Sequence, residues 1–274
     1  MSLPVHLLQL PYTQETVAEL RARLHPEVEL TAGLELPSPA VFRILVAGRP
    51  AREHLLASPH LEALVVPWAG IPDATRALLL QCPHLAVHNL HHNALPVAEQ
   101  AIALLLAACK FVVPMDRALR AGDWTPRYRP SPSLLVQGRL ALVLGYGAIG
   151  RHVARLCRGL GMEVVAVRRR PTGTEAGIDQ LHDLLPRAGV VLVCLPLTPE
   201  TEGLLASLSE VEGLNVIVVH SIYGSSGEMP KRFAKELEAK KFRLLAVVPP
   251  PFDDVYEYDI WMFETTFRDL FTGR

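Results

Sequence analysis

The chain has 274 residues, of which 50% are hydrophobic, a mean hydropathy of +0.23 and a net charge of −1 from 27 basic and 28 acidic side chains. That length and composition bury a large core in one or two domains and exclude an intrinsically disordered protein. The even charge leaves no electrostatic footprint for nucleic acid or an acidic membrane, which points to small molecules or copies of the chain as partners.

In chain order, short β-like runs alternate with helical patterns: VHLLQL, TQETVAELRARL, VFRILVAG, ALVVPWAG, DATRALLLQC and LAVHNL. That alternation predicts a parallel α/β layer. A long apolar-periodic helix follows from about Pro96 to Leu119, with Glu99 in its first turn at the positive end of the dipole. Its apolar residues, Ile102, Leu105, Phe111, Val112 and Val113 among them, reach around more than one face, so one face is expected to meet a second copy in a two-fold dimer. GDWTPRYRPSPS reads as a loop. Beyond it come a strand in LALVLGYG, a helix in AIGRHVARLCRGLG, a strand in MEVVAVR and another in VVLVCLPL. The apolar run at residues 101–109 is too short to span a bilayer, and MSLPVHLLQL has no basic n-region or cleavage pattern, so a cytoplasmic protein is expected. Cys82, Cys109, Cys157 and Cys194 lie far apart in apolar segments without CxxC spacing, the pattern of buried free thiols.

The stretch LGYGAIGRHVARLCRGLGMEVVAVRRR, Leu144 to Arg170, carries the most specific chemistry. Gly145, Gly147 and Gly150 follow an apolar strand and open a helical pattern. The first makes a tight turn, the second admits a pyrophosphate to the backbone, and the third packs helix on strand. Phosphate then sits on the helix N-terminus, in a loop completed by Tyr146, Ala148 and Ile149. Where the next strand ends, an acid would accept hydrogen bonds from a ribose 2′-hydroxyl. Arg168, Arg169 and Arg170 stand there instead. A guanidinium cannot accept, but it pairs with a 2′-phosphate, so NADP is expected in preference to NAD. A solvated basic turn is the other reading.

Four stretches stand in a telling order. They are VHNLHHNALPVAEQAIALLLA, with Asn93 and Val97–Glu99; RALRAGDW, ending at Trp124; GYGAIGRHVA; and LPLTPETEGLL, with Leu195, Pro196 and Thr201. Together, from about Leu64 to Leu205, they resemble the D-isomer-specific 2-hydroxyacid dehydrogenases, a family that includes glyoxylate and hydroxypyruvate reductases and phosphoglycerate dehydrogenase. The resemblance implies an α/β protein with a Rossmann dinucleotide-binding domain and a flavodoxin-like α/β substrate domain. Here these fall at residues 96–250 and 1–95, with 251–274 a divergent C-terminal tail. It further implies a homodimer paired through the crossover-helix region, a small 2-keto or 2-hydroxy acid as substrate in an interdomain cleft, and Leu195, Pro196 and Thr201 on the nicotinamide side.

Reduction of a 2-keto acid needs a hydride donor at the carbonyl face, donors for the carboxylate and a proton for the developing alkoxide. For the carboxylate, VPWAGI resembles the family's glycine-bearing turn, which makes Ala69 and Gly70 the candidates; an ordinary turn after a strand is the alternative. The family's other parts are an arginine before a glycine after a strand, then a glutamate, then a histidine preceded by proline. In VIVVHSIYG, Tyr223 precedes Gly224 where the arginine is expected. AVVPPPFDDV replaces the glutamate-bearing run, and His220 is the last histidine, so no proline–histidine pair follows. His220 is then either a proton donor, since histidine titrates near neutrality, or a strand-end residue without a catalytic role. The expectation is a diverged, truncated or altered tail. His88, His91 and His92 are read as loop structure or cleft lining, with no metal expected. Two functions remain open: an NAD(P)-dependent oxidoreductase of small 2-keto acids, and a catalytically silent dinucleotide-binding relative or sensor.

Overall fold

The computed structural model describes residues 2–8, 13–128, 133–196, 201 and 204, with the backbone of strands 215–219 and 243–248. The chain divides between Asn93 and Ala94 into two compact units, each built on a five-stranded parallel sheet.

The first unit contains β1 (Leu3–Leu7), β2 (Val28–Ala32), β3 (Ile44–Val46), β4 (Ala63–Val66) and β5 (Ala86–Asn89), in the order β2-β1-β3-β4-β5. This is the flavodoxin-like order. β3 and most of β4 are buried because helices cover both faces, and parallel sheets of this kind read as apolar runs rather than alternations. Alternate residues serve opposite faces: Ile44, Val46 and Val65 join one cluster with Leu7 and Leu20, while Leu45, Leu64 and Val66 join another with Phe42 and Leu55. Burying each of these side chains contributes about 1.5–3 kcal/mol, and Leu45→Ala would cost about 2–5 kcal/mol. The covering helices are α1 (Gln14–Arg23), α2 (Arg52–Leu56) and α3 (Asp73–Leu79). α1 starts at Thr13, whose Oγ1 accepts a hydrogen bond from Thr16 N (3.1 Å), and Glu15 lies in its first turn. Both features satisfy the helix N-terminus.

The second unit begins with α4 (Ala94–Cys109) and α5 (Val112–Arg120). Its sheet follows: β6 (Leu140–Leu144), α6 (Ala148–Gly159), β7 (Glu163–Val167), α7 (Leu181–Leu184), β8 (Ala188–Val193), β9 (Asn215–Val219) and β10 (Arg243–Val248). The strands run β7-β6-β8-β9-β10. A parallel bridge between Val167 and Ala176 adds one residue of a further strand outside β7. Counting it, the sheet has the 3-2-1-4-5-6 order of a Rossmann domain. α4 buries Val97, Ala98, Ala101, Ile102, Leu105 and Cys109 against Val153, Ala154 and Cys157 of α6. Those positions recur every three or four residues and so share one face.

The single helix expected from Pro96 to Leu119 is two helices, bent by 62° around Phe111, which has a left-handed backbone (φ 55°). Pro114 explains the break. It offers no N–H to the carbonyl of Lys110, and its ring collides with that carbonyl in a continuous helix. Because α4 starts at Ala94, Glu99 lies beyond the first turn, which holds no acid. Thr125–Tyr128 form a short 3₁₀ turn inside the expected loop. No single helix among the described residues is long and apolar enough to cross a membrane.

Candidate functional site

All strands of a parallel sheet end at one edge, and ligands of such sheets bind outside those carboxyl ends. In the second unit that edge is stitched together. Gly145 N donates to Val167 O (3.0 Å) and Cys194 N donates to Leu144 O (2.7 Å), tying the ends of β7, β6 and β8.

The three glycines do three jobs. Gly145 has φ +94°, and a Cβ there would lie 2.6 Å from Cys194 O and 3.0 Å from Leu195 Cδ2. A Cβ on Gly150 would strike the carbonyl oxygen of Gly145, so helix and turn meet without a side chain between them. Gly147 is different. Its backbone is extended (φ −84°, ψ −155°), and a Cβ would meet nothing within 4 Å. Gly147 caps α6 without a side-chain hydrogen bond, and no acid follows in the first turn. The first N–H groups of a helix have no partners within it and carry positive partial charge. The open space over Gly147 and this uncapped N-terminus fit a bound pyrophosphate. Ala148 is half-buried beside it, while Tyr146 and Ile149 pack against the core shared with α4.

At the end of β7, Arg168 is half-buried, and Arg169 and Arg170 are exposed. Arg168 Nη1 donates to Thr172 Oγ1 (2.9 Å) and to Glu175 Oε1 (3.3 Å). The Glu175 carboxyl is held below the usual carboxylate range, first by its own backbone N–H, with the Thr172 backbone and the Arg168 guanidinium adding to it against a burial penalty. Glu175 is the functional candidate that the sequence reading passed over. An acid was sought at the strand end itself, and the signal lay in the turn-forming PTGTE that brings an acid back.

Leu195 packs with the cluster of Leu142 and Leu144, next to Gly145. Thr201 Oγ1 donates to Pro196 O (2.6 Å), and Leu204 N donates to Thr201 O (3.2 Å). Burial pushes the Cys194 thiol up to about 12 and the Cys157 thiol to about 11. Such thiols stay protonated and inert as nucleophiles. All four cysteines are free.

In the first unit, the loops after β3, β4 and β5 meet at one edge. The Trp68 ring lies over Gly48, where a Cβ would strike it, and the Arg49 guanidinium sits 5.7 Å from the ring. Thr75 Oγ1 donates to Gly48 O (3.0 Å). Asn89 Nδ2 donates to Ala69 O (2.7 Å) and Leu90 N to Trp68 O (3.1 Å), so the loop's carbonyls are held toward β5. Ala69 is half-buried, and Gly70 is exposed with open space above its Cα. Arg49 is a second residue that the sequence reading did not single out. His220 and Tyr223 lie outside the described residues. Among the described residues no group of three His, Cys, Asp or Glu is placed to hold a metal ion.

Residues 102–210 match the family domain described as D-isomer specific 2-hydroxyacid dehydrogenase, NAD binding domain. The chain is 27% identical over 155 residues to a glycerate dehydrogenase of Methylorubrum extorquens, covering 54% of this chain and 48% of that protein. It is 30% identical over 223 residues to a D-3-phosphoglycerate dehydrogenase of Mycobacterium leprae, covering 75% of this chain and 40% of that one. The chain thus spans less than half the length of these curated relatives. A D-isomer specific 2-hydroxyacid dehydrogenase from Xanthobacter autotrophicus Py2, solved with NADPH and MES, shares the fold with a TM-score of 0.67 at 20% identity, over 93% of this chain and 82% of that one.

Proposed function

The chain belongs to the D-isomer specific 2-hydroxyacid dehydrogenase family through its NAD-binding domain, and from that premise we propose that it is an NAD(P)-dependent oxidoreductase acting on small 2-keto or 2-hydroxy acids. The observation that carries this reading is the uncapped N-terminus of α6, with open space over Gly147. When bound, the nicotinamide cofactor supplies the hydride. The N–H groups at the start of α6 hold its pyrophosphate, in the loop running from Gly145 to Gly150. Leu195, Pro196 and Thr201 line the nicotinamide side, and the backbone amides of Ala69 and Gly70 receive the substrate carboxylate.

Arg168 and Arg169 pair with a 2′-phosphate, so NADPH binds more tightly than NADH. The α5 residues Val112, Val113 and Leu119 are 51%, 51% and 54% exposed, an apolar face that suits the pairing of two copies into a homodimer in the cytoplasm. A stable monomer in sedimentation at micromolar concentration would contradict the dimer.

A second reading, cofactor binding with nearly silent catalysis, rests on Tyr223 standing where an arginine clamp is expected. Loss of a bidentate pair to the carboxylate weakens transition-state binding by about 2–3 kcal/mol. Proton transfer, worth about 10²–10⁴-fold, would fall to His220 or water. NADPH absorbance with glyoxylate and hydroxypyruvate separates the two readings. Turnover of several per second establishes the enzyme; saturable binding with negligible turnover establishes the silent relative.

A further inference from the structure

The turn after β7 contains an ion pair that a bare arginine clamp does not explain. Ala176 N donates to Ala166 O (2.8 Å) and Arg168 N to Ala176 O (2.9 Å), so the chain folds back on the strand end and returns Glu175 to it. The Glu175 side chain is 10% exposed and that of Arg168 35%. One carboxylate oxygen accepts from Arg168 Nη1 (3.3 Å), and the other accepts from Thr172 N (3.2 Å). Among the described residues, the side-chain bonds of Arg168 run from Nη1, and a guanidinium has further donors on Nε and Nη2.

A carboxylate fixed against this guanidinium has two opposed effects. It orients the fork before any ligand arrives, and it cancels much of the positive field that a 2′-phosphate would meet. With a 2′-hydroxyl cofactor, the second effect is useful, because a half-buried guanidinium without a counter-charge is costly. We propose that Glu175 is a built-in counterion to Arg168 that sets how sharply the site distinguishes a 2′-phosphate from a 2′-hydroxyl, keeping Arg168 paired under NAD(H) and moderating its hold on NADP(H). The inference rests on the reading of the 145–150 loop as a nicotinamide dinucleotide site. The low-titrating carboxyl keeps the counter-charge in place at neutral pH.

The test is the Kd of the full chain for NADH and for NADPH, by fluorescence titration at low and high salt, in the wild type, Glu175→Gln, Arg168→Gln and the double variant. Glutamine removes the charge and keeps one acceptor oxygen, so one of the two bonds, from Arg168 Nη1 or from Thr172 N, is lost with it, and Glu175→Asp below serves as the charge-retaining control. The expected result is a Kd for NADPH lowered about three- to tenfold at low salt with that for NADH unchanged. The gain shrinks as salt rises and disappears in the Arg168→Gln background. Glu175→Asp, which retains the charge, keeps the ratio of the two Kd values within about twofold of the wild type whatever it does to Tm. An unchanged ratio in Glu175→Gln, or an Asp variant that shifts the ratio as Gln does, overturns the inference. Weakened NADH with unchanged NADPH also overturns it, and makes Glu175 an acceptor for the ribose hydroxyl. Wild-type protein that binds neither cofactor would fail the dinucleotide reading and the inference together, whereas binding with an unresponsive ratio would fail the inference alone.

Discussion

The first helix after the first strand of each sheet begins in opposite ways. α1 is capped by Thr13 Oγ1 and has Glu15 in its first turn, so the chain itself satisfies that N-terminus. α6 occupies the same place in its own sheet, yet its cap is Gly147, with no side-chain bond and no acid behind it. Both sheets are parallel, and β1 and β6 each lie between two neighbours. Topology therefore places a helix N-terminus at the carboxyl edge in both units, and the cap residue decides whether an anion can use it.

The comparison breaks most sharply if α6 is made to resemble α1. Gly147→Asp puts a carboxylate on the helix N-terminus at a position whose backbone and surroundings accept a side chain. The fold should survive with helix stability changed by a few tenths of a kcal/mol, while NADPH affinity falls about a hundredfold or more. Retained affinity in a calorimetric titration would remove α6 from the binding account.

A smaller effect is expected at the end of β7. Arg168→Asp should cost NADPH about 1.5–3 kcal/mol and NADH little, bringing the two affinities together or inverting them. Equal losses for both cofactors would show that Arg168 serves the fold rather than the phosphate.

In the other direction, Thr13→Ala uncaps α1. It should lower the stability of the protein by about 1 kcal/mol in denaturant unfolding, with cofactor Kd unchanged. A parallel loss of cofactor affinity would mean that the α1 terminus is not merely structural.

The smallest effect concerns His6, buried in β1 and stacked 5.6 Å from Phe42. Thr31 Oγ1 donates to Val5 O, so His6 Nδ1 donates to Thr31 Oγ1 (2.9 Å), and Nε2 has no partner among the described residues. Burial holds the imidazole below its ordinary value, with the Gly33 backbone opposing this and His54 reinforcing it. The unfolded chain therefore binds the proton more readily. Stability is flat above about pH 6.5 and falls as pH drops from there toward the folded-state value, by at most about 1.4 kcal/mol per pH unit. His6→Phe should abolish that slope in Tm measured from pH 7 to 5; identical slopes would place the titration elsewhere.

What the sequence made legible follows from how local each signal is. The apolar runs of β3, β4, β6 and β8 and the glycines that end β6 announce themselves because burial and turn geometry act on adjacent residues. The break between α4 and α5 was hidden because apolar periodicity runs through Phe111, Val112 and Val113, and Pro114 acts four residues upstream on Lys110. Glu175 was hidden for a different reason. Its meeting with Arg168 depends on a chain reversal, and no spacing rule links a strand-end arginine to an acid beyond a turn. His6 sits in an apolar run where its neighbours read as strand, and the lack of a partner for its Nε2 among the described residues is a property of packing alone.

Amide hydrogen exchange with and without saturating NADPH tests the contrast between the two helix starts most directly. The account predicts new protection at the backbone amides of residues 147–150 and none at residues 13–16. Unchanged exchange at the start of α6, or equal protection at the start of α1, would contradict it.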